Sequence, residues 1–572
     1  MLIFVKKILL SLFPNKIWGS VFLLSFFAGI LFAQQTAETA ETAPNVRTTV
    51  IHLEQSESVV RRESLPDVQI IFGNLAGGQQ VRFRHDGAIM YCDSAHVRSR
   101  DNTFNAFGNV RIIEGDSIFI YGDYLFYDGN TRIAHLRRNV RMLHNNSILT
   151  TDSLNYDRVR DLAYYWTGGK LQDGENTLTS VWGQYSPNTN QAVFRNNVRM
   201  VNETMRMYSD TLLYNTETQI ADIVGFTHII HNDETNIFST KGWHNTETEQ
   251  SMLLNRSLIV HTDGRTVIGD TLFYDRQNHF VEGFSNVEMN DTIQQTTLLG
   301  HYVFYDELHE FGFATDSALF IDWSDEDRLY LHADTLHVSK DSIYDVLRAF
   351  HNVRFFRADI QGAADSLVYL SRDSVAIMFG QPVVWSGENQ LSGEIIRAYI
   401  ANETLERIHV PRGAFVIQKV DNDGHFNQIS GTELNAFIHD GELRRVEVSG
   451  SAETIYYPID DSDSTIIGIN KTQSSHVNMF FVEQQIERIV LTVISTGTMY
   501  PLDELSGEEL FLSGFFWIEE QQPRKPEDVF LRFPRNRHSS SIIRIRSAAA
   551  PQETTDDGEQ IPIRNVRPQP SR

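Results

Sequence analysis

The sequence predicts an all-β protein built as a stack of tandem repeats near 30 residues long. Three observations carry the prediction. The phrase Asp-Ser/Thr-Leu-x-Tyr recurs at steady spacing along most of the chain. Between its copies the sequence alternates apolar and polar residues in short runs rich in Val, Ile, Phe, Tyr and Thr. The runs are joined by turn dipeptides such as Asp128-Gly129, Asn145-Asn146, Asp263-Gly264 and Asp440-Gly441. Links this short suit antiparallel neighbours and leave no room for helical crossovers.

The first 33 residues read as a secretory signal peptide. Lys6, Lys7 and Lys16 precede an apolar run from Ile17 to Ala33, which breaks at Leu31-Phe32-Ala33-Gln34. Cleavage is expected after Ala33; an uncleaved anchor is the competing reading, although the run falls short of the ~20 residues that span a bilayer. No lipobox cysteine follows. Residues 34–66 carry Thr-Ala-Glu repeats and read as a flexible linker.

Residues 67–400 hold the repeats. The phrase reads Asp123-Tyr124-Leu125-Phe126-Tyr127, Asp152-Ser153-Leu154-Asn155-Tyr156, Asp210-Thr211-Leu212-Leu213-Tyr214, Asp270-Thr271-Leu272-Phe273-Tyr274 and Asp365-Ser366-Leu367-Val368-Tyr369. Weaker copies continue the row through Tyr399, Phe437 and Phe481. A second phrase sits between copies: Gly108-Asn109-Val110, Arg138-Asn139-Val140, Asn196-Asn197-Val198, Ser285-Asn286-Val287 and His351-Asn352-Val353, with Gly380-Gln381-Pro382-Val383 degenerate. Each repeat thus contains two strand-like runs. Gly122 lies inside one of them and marks a bend or bulge. A bent strand can serve both layers of a two-layer sandwich. Alternation places Asp, Leu and Tyr of the phrase on one face. Leu and Tyr then point inward and the Asn-Val valines supply the facing wall. From residue 401 to 522 the spacing lengthens, as in degenerate repeats or a cap. Residues 523–572 hold ten Lys/Arg against six Asp/Glu, a net +4 on a chain of formal charge -25. They read as a basic, mostly disordered tail, in which Ile542–Arg546 alternates like a strand.

The acidic balance argues against a nucleic-acid footprint, which needs positive charge. The single cysteine, Cys92, excludes an intrachain disulfide and reads as a small buried hydrophobe. The recurring Asp tempts a catalytic reading, but a catalytic constellation is local. A turn or ladder residue bonding a nearby backbone N–H fits repetition better. Asp460-Asp461-Ser462-Asp463 lacks the glycine and glutamate of a calcium loop. The histidines show no zinc spacing, and no nucleotide-binding or hydrolase motif is present. No cofactor, metal site or catalytic residue is expected.

Signal peptide, Asp-x-Leu-x-Tyr-Asp units and Gly-Asn-Val units together resemble the OstA N-terminal-like, LptA-type family of lipopolysaccharide-transport proteins, most clearly over residues 85–300. Gly514-Phe515-Phe516-Trp517 and Pro523-Arg524-Lys525-Pro526-Glu527-Asp528-Val529-Phe530 resemble the ending of long Bacteroidota members. The resemblance implies an elongated antiparallel β-jellyroll, a V-shaped sandwich with an apolar slot. It implies a periplasmic bridge, not an enzyme, carrying lipid A acyl chains towards the outer membrane. Partners would be lipopolysaccharide and other jellyrolls joined through edge strands. On this reading Leu125, Tyr127, Val140, Leu154, Tyr156, Val198, Leu212, Tyr214, Leu272, Tyr274, Val287, Leu367 and Tyr369 line the slot. The alternatives are a surface structural or adhesive repeat and a β-solenoid enzyme acting on polysaccharide.

Overall fold

The computed structural model describes residues 49–532, apart from 325, 342, 402–403, 440–441, 461–464 and 483–484. The proposed signal peptide, the Asp461–Asp463 part of the acidic run and the Ile542–Arg546 alternation lie outside the described residues. Among the described residues 39 strands join in one sheet, and every pairing is antiparallel. The chain is all-β, as the alternation predicts. Strands begin at His52–Gln55, inside the stretch expected to be linker.

Seventeen of the strands are ten residues or longer, and a register shift falls near the middle of such strands. Thr103–Glu114 shifts between Phe107 and Val110, and Ile118–Asp128 between Tyr121 and Tyr124. On one side of the shift the halves bearing Leu-x-Tyr pair with one another. On the other side the halves bearing Asn-Val do the same. One continuous ribbon thus folds at a corner into two layers, here called the Tyr layer and the Val layer. Some repeats split the halves into separate strands: Leu162–Tyr165 serves the Tyr layer, Gly169–Asp173 and Asn176–Ser180 the Val layer.

The corner explains the Asn-Val phrase. Two successive residues adopt left-handed backbone there: Arg138 and Asn139 (φ 65 and 51), Asn196 and Asn197 (64 and 57), Ser285 and Asn286 (60 and 51), His351 and Asn352 (59 and 53). Asparagine and glycine tolerate that conformation best. At Gly108 (φ 75) an added Cβ would collide with the Asp93 carboxylate. The corner also explains the recurring Asp. Asn109 Nδ2 donates to Asp93 Oδ2 at 2.7 Å, Asn139 to Asp123 at 2.7 Å, Asn286 to Asp270 at 2.6 Å and Asn352 to Asp334 at 2.7 Å. The expected partner was a backbone N–H; at these corners it is the other phrase's side chain. Asp123 is therefore exposed at the corner, although Leu125 and Tyr127 of the same phrase are fully buried.

In the late copies the tyrosine row slips. Tyr399 and Phe437 lie on the outer face beneath Arg407 (4.1 Å) and Arg445 (4.4 Å), while Ile400 and Ala436 take the inner positions. The pairing before each of them is unbroken, Ala376 with Ala398 and Ile408 with Ala436, so the inner position falls one residue before Tyr399 and Phe437, and neighbouring residues of a strand face opposite ways. In the degenerate copy the residue after the Gly380-Gln381 corner is Pro382, and Val383 packs outside with Trp385 and Phe516.

After the last strand, Gln485–Tyr500, the chain reverses. Residues 501–532 form a strap with 3-10 turns at Gly507–Leu510, Glu519–Gln521 and Pro526–Phe530. It crosses the outer face of the Val layer. Leu512 and Trp517 pack on Ile417, Phe426 and Ile455, while Phe516 and Ile518 pack on Val383 and Trp385. Three buried glutamines hold the strap, two of them as surrogate backbone. Gln428 donates to Leu510 O (2.9 Å) and accepts from Leu512 N (2.8 Å). Gln390 donates to Phe516 O (2.8 Å) and accepts from Ile518 N (3.2 Å), and Gln361 accepts from Gln522 (2.8 Å). Val529 is fully buried, so residues 523–532 of the expected tail belong to this strap.

Candidate functional site

The space between the layers is the candidate site. The structure turns the thirteen row positions inward and buries all of them except Tyr274, which is half-buried. Their surroundings differ along the stack. One apolar cluster runs from Ile71 to Leu272 and a second from Val287 to Val477. Cys92 belongs to the first, and burial pushes its thiol up to about 12.

In the first half the margin opposite the corner is closed by polar clasps between the layers. His85, ending a Val-layer strand, meets Tyr127 of the Tyr layer (Nδ1–Oη 2.7 Å). Arg158 donates to the same hydroxyl at 2.8 Å and forks onto Glu114 with two bonds of 3.0 Å. With Arg158 donating, the Tyr127 hydroxyl donates onward to His85 Nδ1, which leaves His85 Nε2–H for the Thr49 carbonyl at 2.9 Å. Burial lowers the pKa of His85 and raises that of Tyr127, so both stay neutral. His144 clasps Tyr185 at 2.7 Å. Tyr214 donates to Asp173 at 2.9 Å and accepts from Asn176 at 3.2 Å. The row ends at His231 and His244, whose rings face each other across the layers at 5.4 Å. His244 Nδ1 meets Ser251 Oγ at 2.9 Å, whereas neither ring nitrogen of His231 has a partner among the described residues.

Beyond that point the inner face loosens. Val267 and Val281 are only partly buried, as are Ile360, Val384, Leu391 and Ile408 further on. An apolar cavity of about 50 Å³ opens here, lined from the Val layer by Leu331, Phe355 and Leu391 and from the Tyr layer by Leu367, Met378 and Ile396. Of the row positions, Leu367 lines it. A cavity of roughly 150 Å³ holds one benzene molecule. A long acyl chain therefore enters only if the layers part. Purely apolar walls can offer packing and dehydration but no chemistry. Among the described residues no group of three or more His, Cys, Asp or Glu is placed to hold a metal, and no helix is long and apolar enough to cross a membrane.

Sequence reading found the rows but missed the clasps. His85, Arg158 and Asp173 sit in strand ends and turns, dozens of residues from their partners, and their phrase does not repeat. The only available signal was polar residues at strand termini next to an apolar row.

A family model described as OstA-like protein matches residues 47–210. This segment is OstA-like. The OstA-like segment covers well under half of the chain and falls within the clasped half, ending inside the strand Met205–Asn215. A solved structure of LptH from Pseudomonas aeruginosa, described as the LptA-homologous periplasmic component of the lipopolysaccharide transport device, is also similar. It shares 18% identity, covers 24% of this chain and 94% of its own, and has a TM-score of 0.18. No curated protein matches the chain.

Proposed function

We propose that this chain is a periplasmic lipopolysaccharide-binding bridge, in which lipid A acyl chains ride between the Tyr and Val layers towards the outer membrane. The observation that carries the reading is the all-apolar cavity beyond the OstA-like segment, between layers hinged at a corner. Each buried CH₂ of an acyl chain gains about 0.8 kcal/mol, so apolar walls alone hold lipid. The sugars and phosphates stay in solvent, since the chain outside its tail is strongly acidic. The row residues from Leu125 to Tyr369 shape the interior. Those around Leu367 meet lipid, and the earlier ones close the clasped half. Other jellyrolls join through the terminal edge strands.

Native mass spectrometry with lipid extraction tests this on full chain purified from the periplasm. Near-stoichiometric lipid A is expected, falling several-fold in Leu391→Trp, which fills the cavity. No lipid after incubation with lipopolysaccharide would sink the reading. The second reading, a structural repeat, draws on the tightly packed clasped half; it predicts that Leu391→Trp changes nothing but stability.

A further inference from the structure

The outer face of the Tyr layer carries a continuous band of aromatic rings across five strands. From Phe273 through Phe280, Phe304 and Phe311 to His337, successive centroids lie 5.8, 5.8, 6.1 and 5.0 Å apart. Phe313 widens the band, 5.8 Å from Phe304. These side chains alternate with the inner residues Tyr274, Val281, Val303, Tyr305 and Val338, so they point away from the core. All six are partly exposed. At five places elsewhere on the outer faces a large ring lies under an arginine: Arg111 over Tyr91 at 4.3 Å, Arg195 over Trp182 at 5.1 Å, Arg407 over Tyr399 at 4.1 Å, Arg445 over Phe437 at 4.4 Å and Arg488 over Phe480 at 4.3 Å. Arg348 pairs across the strands with His337 at the end of the band, and among the described residues no guanidinium is placed over its phenylalanine rings. A partly exposed row of rings with a carboxylate, Glu282, set between Phe273 and Phe304 offers a contact surface suited to a cationic segment.

The strap indicates what covers it. From the last strands it travels back along the stack, over Phe426, then Trp385, then Arg354 and finally His332. Its last described contact is Arg532 on Asp334 at 3.0 Å. Asp334 sits at the corner of the strand Leu329–Asp341, bound to the corner residue Asn352. Three residues further along the same strand comes His337, the end of the aromatic band. Continuing in the same direction, the next strands are Phe311–Asp322, Thr296–Asp306, Phe280–Asp291 and Arg265–Asp275, the ones that bear the rings. Five strands span about 19 Å at ~4.8 Å per strand, a distance six extended residues cover at ~3.3 Å each. The sequence that follows, Phe533 to Arg546, contains Arg535, Arg537, Arg544 and Arg546 and no acidic residue. It supplies the cations that the phenylalanines of the band lack, together with Ile542, Ile543 and Ile545.

We propose that residues 533–546 dock across this aromatic band, their arginines stacking on its rings, so that the C-terminal segment grips the outer faces of both layers. Arginine over an aromatic face is attractive, and the tether supplies an effective concentration of about millimolar through a short connection. Weak individual contacts then suffice.

The test is photo-crosslinking in the full chain, with benzoyl-phenylalanine in place of Phe304 and, separately, of the more exposed Phe284. The second site guards against a variant that fails to fold. The expected product is an intramolecular crosslink to a peptide within residues 533–546, at least fivefold reduced by Arg544→Glu combined with Arg546→Glu, changes that touch no described part of the fold. Crosslinks between two copies, crosslinks to another protein, or no crosslink from a folded variant would each overturn the proposal.

Discussion

Asn139 sits left-handed at φ 51 and spends its side chain on Asp123. Backbone conformation and hydrogen bond make separable demands. Asn139→Gly keeps the first and loses the second, so it should cost about 0.5–1 kcal/mol. Asn139→Val loses both and places a β-branched residue where φ is positive, so it should cost about 2–3 kcal/mol. Equal losses in chemical denaturation would show that the corner needs only the hydrogen bond. The Arg158–Glu114 clasp is more consequential because the Arg158 side chain is 3% exposed. Arg158→Met leaves a carboxylate and the Tyr127 hydroxyl without their donor and should cost about 3 kcal/mol, the low end for breaking a buried pair, since Glu114 keeps some solvent. The facing histidines set a pH dependence. Burial holds His231 down to about 4 and His244 to about 3, so both stay neutral in the folded chain. Their folded values lie below the unfolded 6.5, so the unfolded chain binds protons that the folded chain refuses. Their contribution is intact above pH 6.5 and is lost as pH falls towards 4 and then 3. The thermal midpoint should drop steeply over that window and less so in His231→Gln. An unchanged slope would remove the pair from the account.

At the scale of elements, the residues show what sequence can and cannot reveal. The rows through Leu125, Leu212 and Val140 were legible because alternation fixes which side chains share a face, and repetition multiplies a weak signal. The corner was half-legible. Gly122 suggested a bend, but the joint lies at paired left-handed residues whose asparagine binds an aspartate in another phrase, most often sixteen positions earlier. Tyr399 and Phe437 were misplaced because an aromatic residue at about the right spacing mimics the row, while strand pairing gives the inner position to the residue before it, Ala398 and Ala436. The strap was invisible because it has no periodicity. Its order comes from contacts such as Gln428 with Leu510 and Leu512, more than eighty residues away. Gln428→Leu keeps the volume and removes both bonds. Limited proteolysis should then cut residues 501–532 at least tenfold faster while the strands resist. Coincident loss of strap and strands would mean that the strap is integral to global folding.

For the whole molecule, the clasps divide one continuous sheet into halves of different packing. The first has an interior with almost no accessible surface and polar bonds along its margin; the second has the cavity and partly exposed inner residues. Amide exchange follows local opening free energies. Inner strands such as Ile133–His144 should therefore exchange more slowly than Val375–Phe379 or Ile395–Ala401. Uniform protection would deny that the cavity-bearing half opens separately.

The corner has one more consequence, for size. Because each long strand crosses it and contributes to both layers, one repeat advances each layer by two strands, about 9.6 Å at ~4.8 Å per strand. Four of the corners share the same Asn–Asp joint, so the backbone frame lengthens by a repeated unit. Such a chain is a ruler graduated in repeats. Its length is set by the number of copies, and duplicating a segment of about thirty residues would lengthen it by one graduation.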